Sequence, residues 1–197
     1  MYQYGNWEQI FNEQVDLIKS SGLYDYAENI YIGINGASTP NFDDPKILYR
    51  INRAQNLEEG PTLSSISDFA QENPEYKILY LHSKGVTKTT RSVADWRDLM
   101  NYFMIECWEE CINYLDSFDA VGCNYSEDTW LGHHPHFSGN FWWANASYIN
   151  TLDHSMLTSD LRWAREFWIG SGNGKLYGIH NSEINHYNEE YPKERYK

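Results

Sequence analysis

Cysteine is scarce: Cys107, Cys111 and Cys123 are the only three in 197 residues. An odd, sparse set makes no disulfide framework and reads as buried thiols in a reduced compartment. Long apolar runs are missing too, and so is a secretory leader pattern, so a soluble, cytoplasmic domain is expected. Positive charge is short, with 15 Lys and Arg against 28 Asp and Glu and a net charge of −13. A field of that sign repels DNA and RNA phosphates and excludes a general nucleic-acid role. It also disfavours docking on anionic lipid through this domain, leaving membrane association to another domain or a partner. Internal repeats, low-complexity tracts, G-x-S-x-G, Walker A, H-E-x-x-H and dinucleotide fingerprints are all lacking.

What the chain does have is aromatic weight: 8 Trp and 16 Tyr within a 16% aromatic content. Such rings stack on sugars or bases, and they are equally ordinary core material. With 41% apolar residues the chain suits one globular domain spanning residues 1–197, whose stretch from about 170 to 197 reads as a polar extension.

Periodicity predicts an amphipathic helix from Trp7 to Ser20, ended near Gly22. Asn29 to Ile34 reads as a strand running into the turn Gly33–Gly36, and Lys46 to Ile51 as a second strand. Pro61-Thr62-Leu63 opens a helix that Asn73-Pro74 stops. Lys77 to Leu81 is almost wholly apolar, as a strand buried on both faces of a parallel sheet would be. Residues 95 to 116 carry apolar side chains at alternating steps of three and four and predict one long helix. Asp119 to Tyr125 reads as a strand, and residues 145 to 153 as a short helix. Alternating strands and helices predict an α/β fold with a mostly parallel, Rossmann-like sheet and helices on both faces. Ligands then bind beyond the carboxyl ends of the strands, where the Gly33–Gly36 turn, the His82–Gly85 turn and Asn124 are expected.

His82-Ser83-Lys84-Gly85 offers an imidazole, a hydroxyl, an ammonium and a flexible backbone at the end of the clearest strand. With Thr87 to Arg91 behind it, it forms the one local basic run, suited to a diphosphate or to plain solvation. Asp95 either caps the long helix or serves as a carboxylate, and Arg97 can reach a phosphate or an acid. Asp43-Asp44 reads as a turn with some capacity for a divalent cation. His133-His134-Pro135-His136 lacks zinc-ligand spacing and better suits one histidine, His136, held over a ligand. Gly139-Asn140-Phe141-Trp142-Trp143 combines close backbone approach, an amide and an aromatic wall, as sugar sites do; a packed core strand explains it as well. Glu166, between Arg162-Trp163 and Phe167-Trp168, serves either as a general base or in an ion pair.

The order of HSKG, DWRDLMNYF, DAVGCNY, HFSGNFWWANASYINTL and REFWIG resembles small bacterial and viral glycosyltransferases with a GT-A-like fold, associated with capsule, lipopolysaccharide and other surface glycans. The resemblance runs from about Ser21 to Glu166. It implies transfer of a sugar from a nucleotide-sugar donor, a UDP-sugar first among them, to a glycan or lipid-linked glycan acceptor. It implies donor binding by His82, Ser83, Lys84 and Gly85 with Arg91 or Arg97. Acceptor contacts would come from His136, Gly139, Asn140, Trp142 and Trp143, and the base would be Glu166 first and Asp95 second. His82, Ser83 and Lys84 stand where such enzymes carry an Asp-x-Asp metal motif, which leaves Mn2+ or Mg2+ open and assigns no metal ligand. Met1–Tyr4 is short for the usual opening strand, as in a domain cut from a longer polypeptide. A non-catalytic glycan-binding module and a glycoside hydrolase are the rival expectations.

Overall fold

The computed structural model describes residues 5–36, 44–52, 58–127, 134–161 and 163–197. Asp43, His133 and Arg162, singled out above, lie outside them.

Helix α1 (Trp7–Ser20) buries Ile10, Phe11 and Val15, the residues its helical spacing selects. Gly22 follows with φ +81 and leads into the one-turn helix α2 (Leu23–Tyr26). Strands β1 (Ile30–Asn35) and β2 (Ile47–Asn52) pair in parallel, Ile30 opposite Ile47. Ile32, Ile34 and Ile47 pack with Phe11 and Val15 of α1, while Tyr31 and Ile51 stay about half exposed. This pair is therefore buried on one face. Gly33 lies inside β1, so the turn begins only at Gly36. Helix α3 (Gly60–Glu72) has Pro61 in its first turn, where a missing N–H costs nothing.

The central sheet has four strands in the order β3 (Lys77–Tyr80), β7 (Trp142–Asn145), β4 (Ala120–Cys123), β8 (Leu176–His180). Strand β7 is antiparallel to both β3 and β4; β4 and β8 are parallel. The expected Rossmann-like, mostly parallel sheet is thus overturned. The described strands are short and divided among a parallel pair, this mixed sheet and a small antiparallel pair of β5 (Tyr125–Ser126) with β6 (His136–Phe137). The physical reason lies between β4 and β7. Among the described residues there, β5, β6 and a β-turn stand and no crossover helix of the kind a parallel return needs, and β7 runs opposite to β4. Hydrophobic periodicity reports burial and is blind to strand direction. The stretch read as a polar extension supplies β8.

The predicted helix 95–116 starts four residues earlier, as α4 (Arg91–Asn101) with Thr90 at its N-cap. It continues as a π-helical turn, Tyr102–Glu106, before α5 (Trp108–Tyr114). The Trp143 indole N–H donates to the Met104 carbonyl at 2.9 Å, and the Cys111 thiol to the Phe103 carbonyl at 3.3 Å. Both carbonyls lie in the shifted turn, and side chains supply them with donors.

Short helices α6 (Ala146–Ile149) and α7 (Ala164–Phe167) pack with α3 on one side of the sheet around Trp142, Trp168 and Phe137, all fully buried. Each such ring stabilises the fold by about 2–3 kcal/mol through burial. α4, the π turn and α5 pack elsewhere, around Leu99, Met100, Met104 and Trp143. Among the described residues no helix is long and apolar enough to cross a membrane.

Candidate functional site

Strands β3, β4 and β8 run the same way, so Leu81-His82, Asn124 and Asn181-Ser182 emerge at one edge of the sheet. Antiparallel β7 enters at that edge, which brings Gly139-Asn140 beside them. The β-turn Phe137–Asn140 is closed by Asn140 N–H donating to Phe137 O at 2.9 Å, with Gly139 at its third position (φ +97).

A compact polar network sits on this turn. His82 Nε2 stands 2.9 Å from Gly139 O and 3.8 Å from Glu59 Oε1. The Gly139 N–H donates to Glu166 Oε1 at 3.0 Å. The Asn140 amide donates to Glu59 Oε2 at 2.6 Å and accepts from the Trp142 indole at 2.9 Å. Two carboxylates, from the N-cap of α3 and from α7, thus meet adjacent residues of one turn. Burial lowers the His82 pKa, opposed by the negative charge of Glu59, so the ring is neutral at pH 7. Gly139 O can only accept, which fixes the His82 proton on Nε2. Glu59 Oε1, at 3.8 Å, lies beyond hydrogen-bond reach of that N–H and acts on the ring through its charge. The Tyr80 hydroxyl is pushed well above its ordinary pKa by burial first, and then by the charge and hydrogen bond of Glu59.

Lys84 Nζ lies 3.7 Å over the Trp96 ring, a cation–π contact. Ser83 is buried. Gly85 has φ +92, and a Cβ there would come 3.0 Å from Arg97 Nη1. Arg97 donates to Lys84 O at 3.2 Å and pairs with Glu13 at 3.4 Å, so it braces the loop. Asp95 is 1% exposed and pairs with Arg91 at 2.7 Å within α4. His136 packs edge-on against Phe167 at 4.4 Å. Trp142 and Trp143 are 0% and 4% exposed, so both are core residues and neither offers a face to a sugar. Asp44 accepts from the Tyr24 hydroxyl at 2.8 Å and pairs with Lys19, which holds its carboxyl below the usual range. Among the described residues no group of three or more His, Cys, Asp or Glu side chains is arranged as metal ligands would be.

Two features escape sequence reasoning. Glu59 looks like a loop acid; only its place just before Gly60-Pro61, at a helix start, hints that it is held in position. The other is the C-terminal segment. Asn124 (φ +51) accepts from both the N–H and the hydroxyl of Ser182 at 2.9 Å. Ser182 Oγ lies 2.7 Å from His186 Nε2, and the His186 ring stacks on Trp96 at 5.1 Å and 8°. Burial first, with Lys84 adding to it, lowers the His186 pKa to about 4. Between this segment and the end of β4 lies a cleft of about 620 Å³.

The chain matches the family described as "Domain of unknown function (DUF8361)" over residues 3–159, and it belongs to that family. No curated protein and no solved structure matches it. Glu166, Ser182 and His186 lie beyond the matched span.

Proposed function

We propose that the chain is a glycosyltransferase that moves a sugar from a nucleotide-sugar donor, a UDP-sugar first among them, to a glycan acceptor in surface-polysaccharide synthesis. The observation that carries this reading is the pair of carboxylates, Glu59 and Glu166, on the Gly139-Asn140 turn beside a neutral His82. Glu59 is committed to Asn140 and faces His82, which suits a positioning role. Glu166, whose Oε1 takes the Gly139 N–H, is the assigned base that removes the acceptor hydroxyl proton. Lys84 on Trp96 supplies positive charge for the leaving diphosphate. Cys107, Cys111 and Cys123 are all unpaired, in keeping with action in the reducing cytoplasm.

The same carboxylate pair favours one second reading, a glycoside hydrolase in which one acid protonates the leaving oxygen. Donor specificity separates the two. Incubation with UDP-, GDP-, dTDP- and CMP-sugars releases a nucleotide if the first reading holds. Cleavage of nucleotide-free aryl glycosides, with every nucleotide sugar left intact, selects the second. Added EDTA abolishes turnover if Mn2+ or Mg2+ serves the diphosphate, and leaves it unchanged if Lys84 suffices.

A further inference from the structure

The cleft at the carboxyl end of β4 is separate in its residues from the Glu59–His82–Glu166 network, yet it is continuous with it through the chain. Ser138 lines the cleft, and the next residue, Gly139, is the one Glu166 holds. A volume of about 620 Å³ fits a small-molecule ligand.

The chemistry of the walls narrows the ligand class. Asn124, Ser126, Asn181, Ser182 and Asn185 present amides and hydroxyls, groups that both donate and accept. Glu183 adds a carboxylate, and the described lining contains no lysine or arginine. Lys84 and Lys88 stand at its border with their ammonium groups seated on the Trp96 and Tyr187 rings, at 3.7 and 4.6 Å, and the charged group among the described lining residues is the Glu183 carboxylate. A polyhydroxylated neutral ligand meets groups of its own kind, both donating and accepting, along these walls. The rings of Tyr125 and Tyr187 flank these groups, Tyr187 being 54% exposed, and supply flat apolar surface for a sugar ring.

Two further atoms point the same way. Trp96 and His186 both line the cleft and are 3% and 4% exposed. Trp96 Nε1 and His186 Nδ1 have no hydrogen-bond partner among the described residues. His186 Nε2 faces Ser182 Oγ at 2.7 Å and Asn124 Nδ2 at 3.3 Å, which leaves Nδ1 as the ring nitrogen turned away from that cluster. Two stacked rings that line the cleft therefore each hold a buried nitrogen without a partner among the described residues. Buried polar nitrogens of that kind cost free energy until a hydrogen-bonding group reaches them.

We propose that this cleft binds a neutral pyranose unit of the acceptor glycan, with the Asn124–Ser182–His186 cluster as its floor. Its assignment to the acceptor rests on the transferase reading; saccharide binding itself does not. The buried Trp142 and Trp143 of the aromatic run give up this role to Tyr187 and the amides of the C-terminal segment.

Saturation-transfer difference NMR on the full chain tests this with the methyl glycosides of glucose, galactose and N-acetylglucosamine. Free glucuronate and inorganic phosphate serve as anionic competitors. Saturation transfer to at least one neutral glycoside is expected, without displacement by either anion. Tyr187→Ala and Asn181→Ala, both at exposed positions, should each weaken it about 10-fold by removing one stacking face or one amide. No transfer to any glycoside, displacement by phosphate, or undiminished signal in both variants overturns the proposal. Nucleotide release from the donor with water as acceptor, measured on the same variants, separates the two readings. Retained release with lost glycoside binding places the cleft on the acceptor side. Release lost in both variants would make the cleft part of the donor site and overturn the proposal. Glycoside binding by a wild type that releases no nucleotide would sink the transferase reading alone and leave the cleft standing.

Discussion

Glu166 Oε1 accepts the backbone N–H of Gly139 at 3.0 Å, joining α7 to the turn that opens β7 across 27 positions of sequence. That contact needs Gly139 in its left-handed conformation, φ +97. A Cβ at this position would lie 2.5 Å from Met100 Sδ and 3.1 Å from the Trp96 ring.

Gly139→Ala is therefore expected to destabilise the fold by about 1–3 kcal/mol, from backbone strain and the clash together. Thermal unfolding reads it as a drop in Tm of several degrees. A Tm equal to wild type would mean that the turn relaxes freely and holds Glu166 loosely.

Lys84→Ala should weaken nucleotide-sugar affinity by about 1–3 kcal/mol, roughly 5- to 150-fold, if the ammonium pairs with the diphosphate. Calorimetric titration with the donor measures this directly. Unchanged affinity would leave Lys84 as no more than a cover for Trp96.

Stability should fall as the medium is acidified through the histidine range. His186 has a folded pKa lowered to about 4 from an ordinary value near 6.5, and His82 is lowered too. The unfolded chain therefore binds protons that the folded chain refuses. Stability contributed by these rings is complete above about pH 6.5 and is lost as pH falls towards 4, by at most about 1.4 kcal/mol per pH unit for each group. Urea midpoints between pH 7 and pH 4.5 check the slope, and His186→Asn should flatten it. A midpoint independent of pH across that window would contradict the burial of both rings.

Trp143→Phe keeps most of the buried volume but removes the 2.9 Å donor to Met104 O. With a carbonyl of the π turn left short of a donor, a loss of about 1–2 kcal/mol is expected, read as a lower urea midpoint with an unchanged slope.

Much of the local structure was legible because burial writes periodicity into sequence. The α1 stripe of Ile10, Phe11 and Val15 falls where the pattern predicts. Lys77–Tyr80 is the expected strand, but as an edge strand paired antiparallel and buried fully only at Tyr80, not one buried on both faces of a parallel sheet. Strand direction was not legible. Trp142–Asn145 reads as a buried strand either way, and only the return through β6 makes it antiparallel. The π turn was invisible because its apolar spacing continues the helical rhythm. At the site, His82, Gly139, Asn140 and Glu166 come together, whereas Arg97 and Asp95 spend their charges on Lys84 O, Glu13 and Arg91. Sequence spacing cannot tell a committed ion from an available one. The segment 181–187 stayed unread because its order comes from long-range contacts, such as Asn124 with Ser182, and not from any local period.

The most direct test of the transferase reading is nucleotide release from a panel of nucleotide sugars by wild type and Glu166→Gln, with donor binding followed by thermal shift. The account predicts release from at least one donor by wild type, release lost in Glu166→Gln, and the donor-induced rise in Tm kept in both. No release and no thermal shift with any nucleotide sugar, or Glu166→Gln as active as wild type, would contradict it.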